Sequence, residues 1–385
     1  MLIPSGQVFT PGRRCSLFVD IRSVEGPRMP GRDVVVVGFS AGGVEAMVRL
    51  AADLPRDLPA AIFVVHHFPA NSVSALPSIL CRAGPLPAVH ATHDQEIAPG
   101  RIYIAPPDRH MLVVENRIHL SRGPRENGHR PAVDPLFRTA AAEFGSRVVG
   151  VLLSGSLDDG TVGLMAVKRH SGLTVVQDPG EAMYPAMVQS AIERVGIDLV
   201  LPVKEIAQLL TRLSREPVAL HTGETAMLPE EEEVQDPAER GTAAIADGPL
   251  PGPPTALTCP DCGGAIWEQV EGELVRYRCH VGHAYTVDSM VGAHAALVET
   301  ALWTAVRALE EKAQLSRRLA ERSRRRGLDR LAQRYAEAVQ SAEHGSSSIR
   351  QLLLNGTADP VTSDGREQLG ERVEWGAEVS GGDRR

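Results

Sequence analysis

Ser40 lies in Gly38-Phe-Ser40-Ala-Gly42-Gly43. There the apolar run Val34-Val-Val-Val gives way to Val44, Met47, Val48, Leu50 and Ala51 at helical spacing. A serine at the carboxyl end of a buried strand, beside the free N–H groups of a helix start, suits a nucleophile and equally a phosphate site. Two other polar clusters hold the same kind of position. His66-His67 directly follow an apolar run over 61–65, and Asp158-Asp159-Gly160 follow one over 148–153 and lead into a helix. A serine hydroxyl needs a base to take its proton, and the base needs a carboxylate to fix its tautomer. Ser40, His67 and Asp159 supply one of each. Each also has a plainer job open to it: Ser40, Asp158 or Asp159 as a helix cap, and His67 as a loop histidine. A fourth cluster is Cys259-x2-Cys262, sixteen residues, then Cys279-x3-His283. That spacing brings two close pairs onto one tetrahedral Zn²⁺ with three sulfurs and one nitrogen. Four ligands leave no open position, so such a zinc is structural. His280 is the alternative to His283, and a ribbon that has lost its metal is the alternative to a zinc site.

Two familiar readings of the Gly38–Gly43 turn fail. A dinucleotide fingerprint wants glycine where Ser40 stands and an acid at the next strand end, where this chain has His66-His67. The common nucleophile elbow, G-x-S-x-G, orders its triad Ser, acid, His. His170 closes a predicted helix and His221 lies at the edge of a linker, so neither stands at a strand's carboxyl end.

The elements that must position these residues alternate. Strands are predicted over 34–37, 61–65, 148–153, 173–176 and 197–201. Helices are predicted over 44–53, 73–82, 135–143, 161–170, 185–194 and 204–213. The pattern implies an α/β fold, a doubly wound mostly parallel sheet. Runs at 101–105, 111–114 and 117–120 around Glu115-Asn116 read as a hairpin attached to that sheet. The expected organisation is a flexible leader (1–32), a catalytic domain (33–215), an acidic and proline-rich linker (216–256) and a zinc-ribbon-like unit (257–288). A helical hairpin broken at Gly327 (289–355) and a disordered tail (356–385) complete it. The hairpin carries Arg317, Arg318, Arg322, Arg324, Arg325, Arg326, Arg330 and Arg334. These form either a solvated face countered by Glu310, Glu311 and Glu321, or a dock for an acidic surface. Its apolar stripe, Leu297, Ala301, Leu302, Ala305, Leu309, Leu315, Leu319, Leu328, Leu331, Tyr335, Val339 and Leu352, reads as a hairpin core or a self-association seam.

The 385 residues carry a net charge of −8, which gives no basic excess for nucleic acid. No apolar run reaches the ~20 residues of a membrane span, and the first thirty residues lack a signal-peptide core. Three of the five cysteines fall in the metal-like cluster, which suits a reducing, cytoplasmic compartment.

Several motifs carry a resemblance. Val-Gly-Phe-Ser40-Ala-Gly-Gly, Val-Val-His-His67-Phe-Pro, Ile-Ala-Pro-Pro-Asp-Arg-His110, Arg130-Pro-Ala-Val-Asp134-Pro-Leu-Phe137, Leu-Ser-Gly-Ser-Leu-Asp-Asp159-Gly and Gln177-Asp-Pro179 fit one pattern. Over about 33–213 they resemble the catalytic domain of the chemotaxis protein-glutamate methylesterase family. The resemblance implies a doubly wound hydrolase distinct from the usual α/β-hydrolase fold, with no catalytic cofactor. In it Ser40 is the nucleophile, His67 the base and then the acid, and Asp159 the residue that orients His67. His66 takes a place where the family often has glutamine, and His110 matches a histidine near the active site. The implied reaction is hydrolysis of glutamate γ-methyl esters on methyl-accepting chemotaxis receptors or similar methylated signalling proteins. Methanol is released, and glutamine deamidation accompanies this activity in the family. The family's Thr-Gly-Met-Gly oxyanion turn is Ser154-Gly155-Ser156-Leu157 here, and Ala41 follows the nucleophile where threonine is common. A receiver domain of about a hundred residues does not fit before Asp33, so the enzyme would be either constitutive or controlled by another protein such as a separate response regulator. The segment Cys279-His280-Val281-Gly282-His283-Ala284-Tyr285 resembles C-terminal extensions of stand-alone relatives. A signalling scaffold with a silent esterase-like domain and a small-molecule carboxylesterase are the alternatives.

Overall fold

The computed structural model describes residues 31–68, 74–218, 252–271 and 274–355. Most of the leader and linker, and the tail, lie outside the described residues. The chain divides into two compact units between Val291 and Gly292.

The first unit begins with β1 (Val34–Phe39), α1 (Gly43–Asp53), β2 (Ala61–His66), α2 (Leu76–Ala83), β3 (Ala88–His90), β4 (Gln95–Glu96), β5 (Arg101–Ile104), β6 (His110–Val114) and β7 (Arg117–Ser121). It continues with α3 (Val133–Phe144), β8 (Val148–Leu152), α4 (Thr161–Arg169), β9 (Leu173–Gln177), α5 (Ala186–Val195), β10 (Leu199–Leu201) and α6 (Val203–Leu213). Seven strands form one sheet in the order β10-β9-β8-β1-β2-β5-β3, every pairing parallel. The four valines of β1 are buried because both faces of the sheet are covered. Val35 and Val37 join the core that also buries Met47, Leu50 and Ile206. Val34 and Val36 join the opposite core with Leu136, Phe137 and Leu164. At the foot of β1 the buried Asp33 takes a two-pronged hydrogen bond from Arg147 at 2.8 and 2.9 Å, which ties β1 to the start of β8. The chain leaves β1 toward β2 on one side and returns on its other side as β8. The carboxyl end of β1 is therefore the topological switch point, where open α/β sheets form their crevice.

The expected hairpin is corrected in part. Arg101–Ile104 is a strand of the main sheet, parallel to β2 and β3. Ile102, Tyr103 and Ile104 are buried, which is the signature of a strand covered on both faces rather than a hairpin arm. β6 and β7 do turn back on each other through Glu115-Asn116, both in the left-handed region, but β7 pairs on its other side with β4, in a separate three-stranded sheet. β3 spans three residues, too few to show a periodicity.

The same unit contains β11 (Pro254–Thr258), β12 (Ala265–Glu271), β13 (Leu274–Cys279) and β14 (Ala284–Thr286), an antiparallel sheet in that order. From β14 the chain enters α7 (Val287–Arg325), and α8 (Asp329–Leu354) follows. Gly327, at φ +71°, separates the two helices. Ion pairs Arg317–Glu343 and Glu310–Arg350 run the helices antiparallel. The apolar stripe differs from expectation in part: Leu302, Leu309, Leu319, Leu331, Tyr335 and Val339 are half-buried. Leu297, Leu315, Leu328 and Leu352 are exposed, whereas Val306, Ala313 and Ala320, seven residues apart, are buried with Ser316 and Ser323. Small residues let the two backbones approach, and Leu309 reaches across to Gly345 within the seam. Among the described residues no helix is long and apolar enough to cross a membrane.

Candidate active site

Across β1 and β2, Phe39 stands opposite His66. One residue beyond that pair on each strand are Ser40 and His67. The Ser40 N–H donates to the Ser154 carbonyl at 3.0 Å, which fastens the turn after β1 to the turn after β8. Ser40 does not cap α1: Gly42 holds that position at φ +69°, and no side chain caps the helix. Gly155 gives the serine its seat, because a Cβ there would fall 3.1 Å from Ser40 Cβ and 2.5 Å from Met187 Sδ.

His67 is buried, and its Nε2 meets Asp159 Oδ2 at 2.7 Å. Its Nδ1 is also buried and has no hydrogen-bond partner among the described residues. A neutral ring that donates Nε2–H to the carboxylate keeps its lone pair on Nδ1, ready to accept a proton. Asp159 does not cap α4, whose N-cap is Gly160. It sits instead at the start of α3, where Oδ2 accepts Val133 N–H (2.7 Å), and Oδ1 accepts Asp134 N–H (3.3 Å) and Asn127 Nδ2–H (3.0 Å). Burial alone would raise this carboxyl. The hydrogen bond and charge of His67, the Val133 N–H and the helix start outweigh it and hold Asp159 well below the usual carboxylate range. Asp134 behaves oppositely. Burial, and then the charge of Asp159, push it up to about 8. The pair therefore concentrates its negative charge on the carboxylate that touches His67.

The other histidines are accounted for. His66 stacks on Phe39 and meets Phe68 edge-on. Burial and the neighbouring His67 hold it down to about 4, so it is neutral and no base at pH 7. His129 stacks flat on His67 with ring centres 3.7 Å apart, and burial lowers it to about 3. His110 donates Nε2–H to the Pro124 carbonyl (2.9 Å) and accepts Ala132 N–H (3.3 Å), bracing the loop before α3. Sequence reasoning missed Asn127 and His129 and gave Asp134 no role. The Asn127-Gly128 pair, both at positive φ, was a legible turn signal. Nothing in the turn indicated where the asparagine side chain would point.

The turn after β8 is pinned by Ser154. Its Oγ donates to the Ala41 carbonyl (2.8 Å), its N–H donates to Gln177 Oε1 (2.9 Å), and Gly155 N–H donates to the Tyr184 carbonyl (2.9 Å). The N–H groups of Ala41 and Ser156 have no partner among the described residues. Leu157 stands at φ +62°, a conformation that costs a β-carbon-bearing residue roughly 1–2 kcal/mol. Leu157→Gly is expected to stabilise the protein by about 0.5–1 kcal/mol, net of the entropy that glycine adds to the unfolded chain. Leu157→Ala, which keeps the strain, gains nothing, and thermal melting of the two variants makes the comparison.

Cys259, Cys262, Cys279 and His283 converge, with ligand atoms all within 4.8 Å of one another. Cys262 Sγ lies 3.7 Å from Cys279 Sγ, and His283 Nδ1 lies 3.6 Å from the sulfurs of Cys259 and Cys279. A tetrahedral zinc with Zn–S of ~2.3 Å and Zn–N of ~2.0–2.1 Å requires edges of roughly 3.8 and 3.6 Å, so the residues present fit the ion. His280 packs against Gly264 instead.

Fold and site together are those of a doubly wound α/β protein with a serine, a histidine and an aspartate at its switch point. Residues 35–210 match the family described as CheB methylesterase. A Leptospira interrogans protein, described as a candidate protein-glutamate methylesterase/protein-glutamine glutaminase, is 37% identical over 184 residues, which cover 48% of this chain and 95% of that protein. A protein-glutamate methylesterase/protein-glutamine glutaminase of Anaeromyxobacter dehalogenans is 38% identical over 183 residues, and there the match spans 54% of the relative's length. The crystal structure of the Thermotoga maritima CheB methylesterase catalytic domain aligns over 47% of this chain and 98% of its own, with 32% identity and a TM-score of 0.46. The chain belongs to the CheB methylesterase family.

Proposed function

We propose that this protein is a protein-glutamate methylesterase that uses Ser40, His67 and Asp159 as its triad. The observation that carries the reading is the His67–Asp159 contact through Nε2, which leaves Nδ1 unpartnered at the end of the strand next to the one that leads into Ser40. His67 Nδ1 takes the hydroxyl proton as Ser40 Oγ bonds to the γ-carbonyl carbon of a glutamate methyl ester. The carbonyl oxygen becomes an oxyanion, for which the Ala41 and Ser156 N–H groups are the candidate donors. The C–O bond to the methoxy group then breaks, and the proton on His67 leaves with it as methanol. Water, deprotonated by the same nitrogen, attacks the acyl-serine and returns Ser40 and a free glutamate. Asp159 stays ionised throughout and balances the imidazolium. A glutamine side chain in the same place loses ammonia by the same steps.

The substrate class is a methylated chemotaxis receptor or a similar signalling protein. Met183 and Tyr184, large and exposed, stand against Gly42 at the rim of the turn and offer an apolar ledge to a protein substrate. A cytoplasmic location and a separate response regulator as the controlling partner belong to the same reading. Cys259, Cys262, Cys279 and His283 hold a structural zinc, with no position left for substrate. The ribbon (257–288) and the catalytic domain (33–215) work as one enzyme.

Purified full-length protein should release methanol from methylated receptor much faster than from a simple methyl ester. A fluorophosphonate should form its adduct on Ser40. Absence of both methanol and adduct would sink the assignment. Equal rates on the two esters would make it a small-molecule carboxylesterase.

A further inference from the structure

The ribbon touches the back of the triad. Asn127 lies between them, buried, at φ +52°. Its Nδ2 donates to Asp159 Oδ1 and to Asp134 Oδ2, both at 3.0 Å. Its Oδ1 accepts two bonds from the junction of β14 and α7: Thr286 N–H at 3.1 Å and Ser289 Oγ–H at 3.0 Å. An amide can face either way, and here two donors on one side and two carboxyls on the other allow a single orientation. The junction is itself locked. Thr286 N–H donates to Ser289 Oγ (2.9 Å) and Ser289 N–H to Thr286 Oγ1 (3.4 Å), a reciprocal capping box at the start of α7. Thr286 Oγ1 also donates to Asp158 Oδ1 (2.6 Å), next to the catalytic carboxylate.

The loop that carries Asn127 is held by the ribbon along its length. Asn127 N–H donates to the Ala284 carbonyl (2.7 Å), and Ala284 N–H donates to the Arg125 carbonyl (3.2 Å). Glu126 receives Arg276 of β13 (3.3 Å) as well as Arg138 of α3, and burial notwithstanding, these two cations hold it down to about 2. Arg125 pairs with Asp261 between the first two cysteines. The Asn127 contacts do not resemble a tether's incidental packing. Two of them, from Thr286 and Ser289, are polar, buried and directed at one amide whose other end touches the triad.

We propose that Asn127, with Thr286 and Ser289 of the ribbon junction, is a positioning relay that sets the Asp159 carboxylate, so that the C-terminal ribbon completes the active site. This rests on the serine-hydrolase reading above. With the relay intact, Asp159 Oδ1 is anchored and Oδ2 is left for His67 and Val133. Without it, the carboxylate keeps its charge but loses its fixed plane, and His67 loses its alignment. The loss falls on turnover and not on substrate binding.

The experiment is a cycle in the full-length chain, assayed well below the melting temperature. Ser289→Ala should lower kcat about tenfold with KM unchanged, and Thr286→Val should do the same, while Thr286→Ser restores most of the rate. Asn127→Ala should lower kcat by more, and adding Ser289→Ala to it should cost nothing further, because the effect of Ser289 passes through Asn127. A Ser289→Ala protein with unchanged kcat, or one that loses the same factor in the Asn127→Ala background, would overturn the relay. Two further readouts separate this from a failure of the proposed function. The first is the rate of fluorophosphonate attachment to Ser40, which follows the same ranking without any methyl ester. The second is the low-field proton resonance of the His67–Asp159 hydrogen bond, which should broaden in Ser289→Ala even if no substrate is ever turned over. A resonance identical to that of the unaltered protein would count against the relay.

Discussion

Ser40→Ala should release methanol no faster than the uncatalysed rate allows for a bound ester, and Asp159→Asn should retain the fold but lose on the order of 10⁴ in kcat. The two losses have different origins. Alanine removes the atom that forms the bond, so no acyl-enzyme and no fluorophosphonate adduct can appear. Asparagine leaves Ser40 and His67 in place but changes what His67 sees. At present Oδ2 accepts both His67 Nε2–H and Val133 N–H, each at 2.7 Å. Oδ1 accepts Asn127 and Asp134 N–H groups. All four partners are donors, so an amide nitrogen at either position opposes two of them. The side chain must then keep its oxygen toward one pair and lose the other. If its nitrogen turns to His67, the ring has to flip its tautomer and present a proton at Nδ1, where a lone pair is needed. The adduct should still form, slowly, in Asp159→Asn and not at all in Ser40→Ala. Comparable labelling of Asp159→Asn and the unaltered protein would show that Asp159 is not the residue that orients the base.

How much of this was legible in the sequence depended on the kind of signal. The strand ends were legible because apolar runs buried on both faces stop abruptly at polar residues. Ser40, His67 and Asp158-Asp159 mark three such stops, and the sheet places β2, β1 and β8 side by side. The Cys259, Cys262, Cys279 and His283 cluster was legible because its spacing is written directly into the chain. What the sequence concealed depends on long-range pairing. Arg101–Ile104 carries the same apolar content in a hairpin as in a parallel strand, and only its partners β2 and β3 decide between them. Asn127, Thr286 and Ser289 are ordinary turn and cap residues by type. Their significance comes from a contact across 159 and 162 positions of chain that no local pattern encodes. Leu297, Leu315, Leu328 and Leu352 misled, since they are exposed, because hydrophobicity alone does not say which side of a helix meets its neighbour.

The second large effect concerns two glycines that meet one valine. Gly38, in β1, has no room for a side chain: a Cβ would come within 2.3 Å of Val133 Cγ1. Gly160, which begins α4, would place its Cβ 3.0 Å from the same atom and 2.6 Å from Leu152 Cδ1, and it also stands at φ +97°. Val133 is therefore wedged between the strand that delivers Ser40 and the turn that delivers Asp159. Its own N–H holds the Asp159 carboxylate. Gly38→Ala is expected to cost about 1–3 kcal/mol by overpacking. Gly160→Ala should cost more, since backbone strain of ~1–2 kcal/mol adds to the clash. Both should depress kcat as well, because any retreat of Val133 draws a donor away from Asp159. Val133→Ala separates the two causes. In the Gly38→Ala/Val133→Ala pair the valine methyls that caused the clash are gone, so stability and kcat should recover relative to additivity by about 0.5–3 kcal/mol. In the Gly160→Ala/Val133→Ala pair the strain and the Leu152 contact remain, and the recovery should be smaller. Denaturant unfolding of the five variants beside the unaltered protein measures this directly. Strict additivity in the Gly38 cycle would mean that Val133 yields without moving its backbone, and that the spacing between β1 and α3 does not set the position of Asp159.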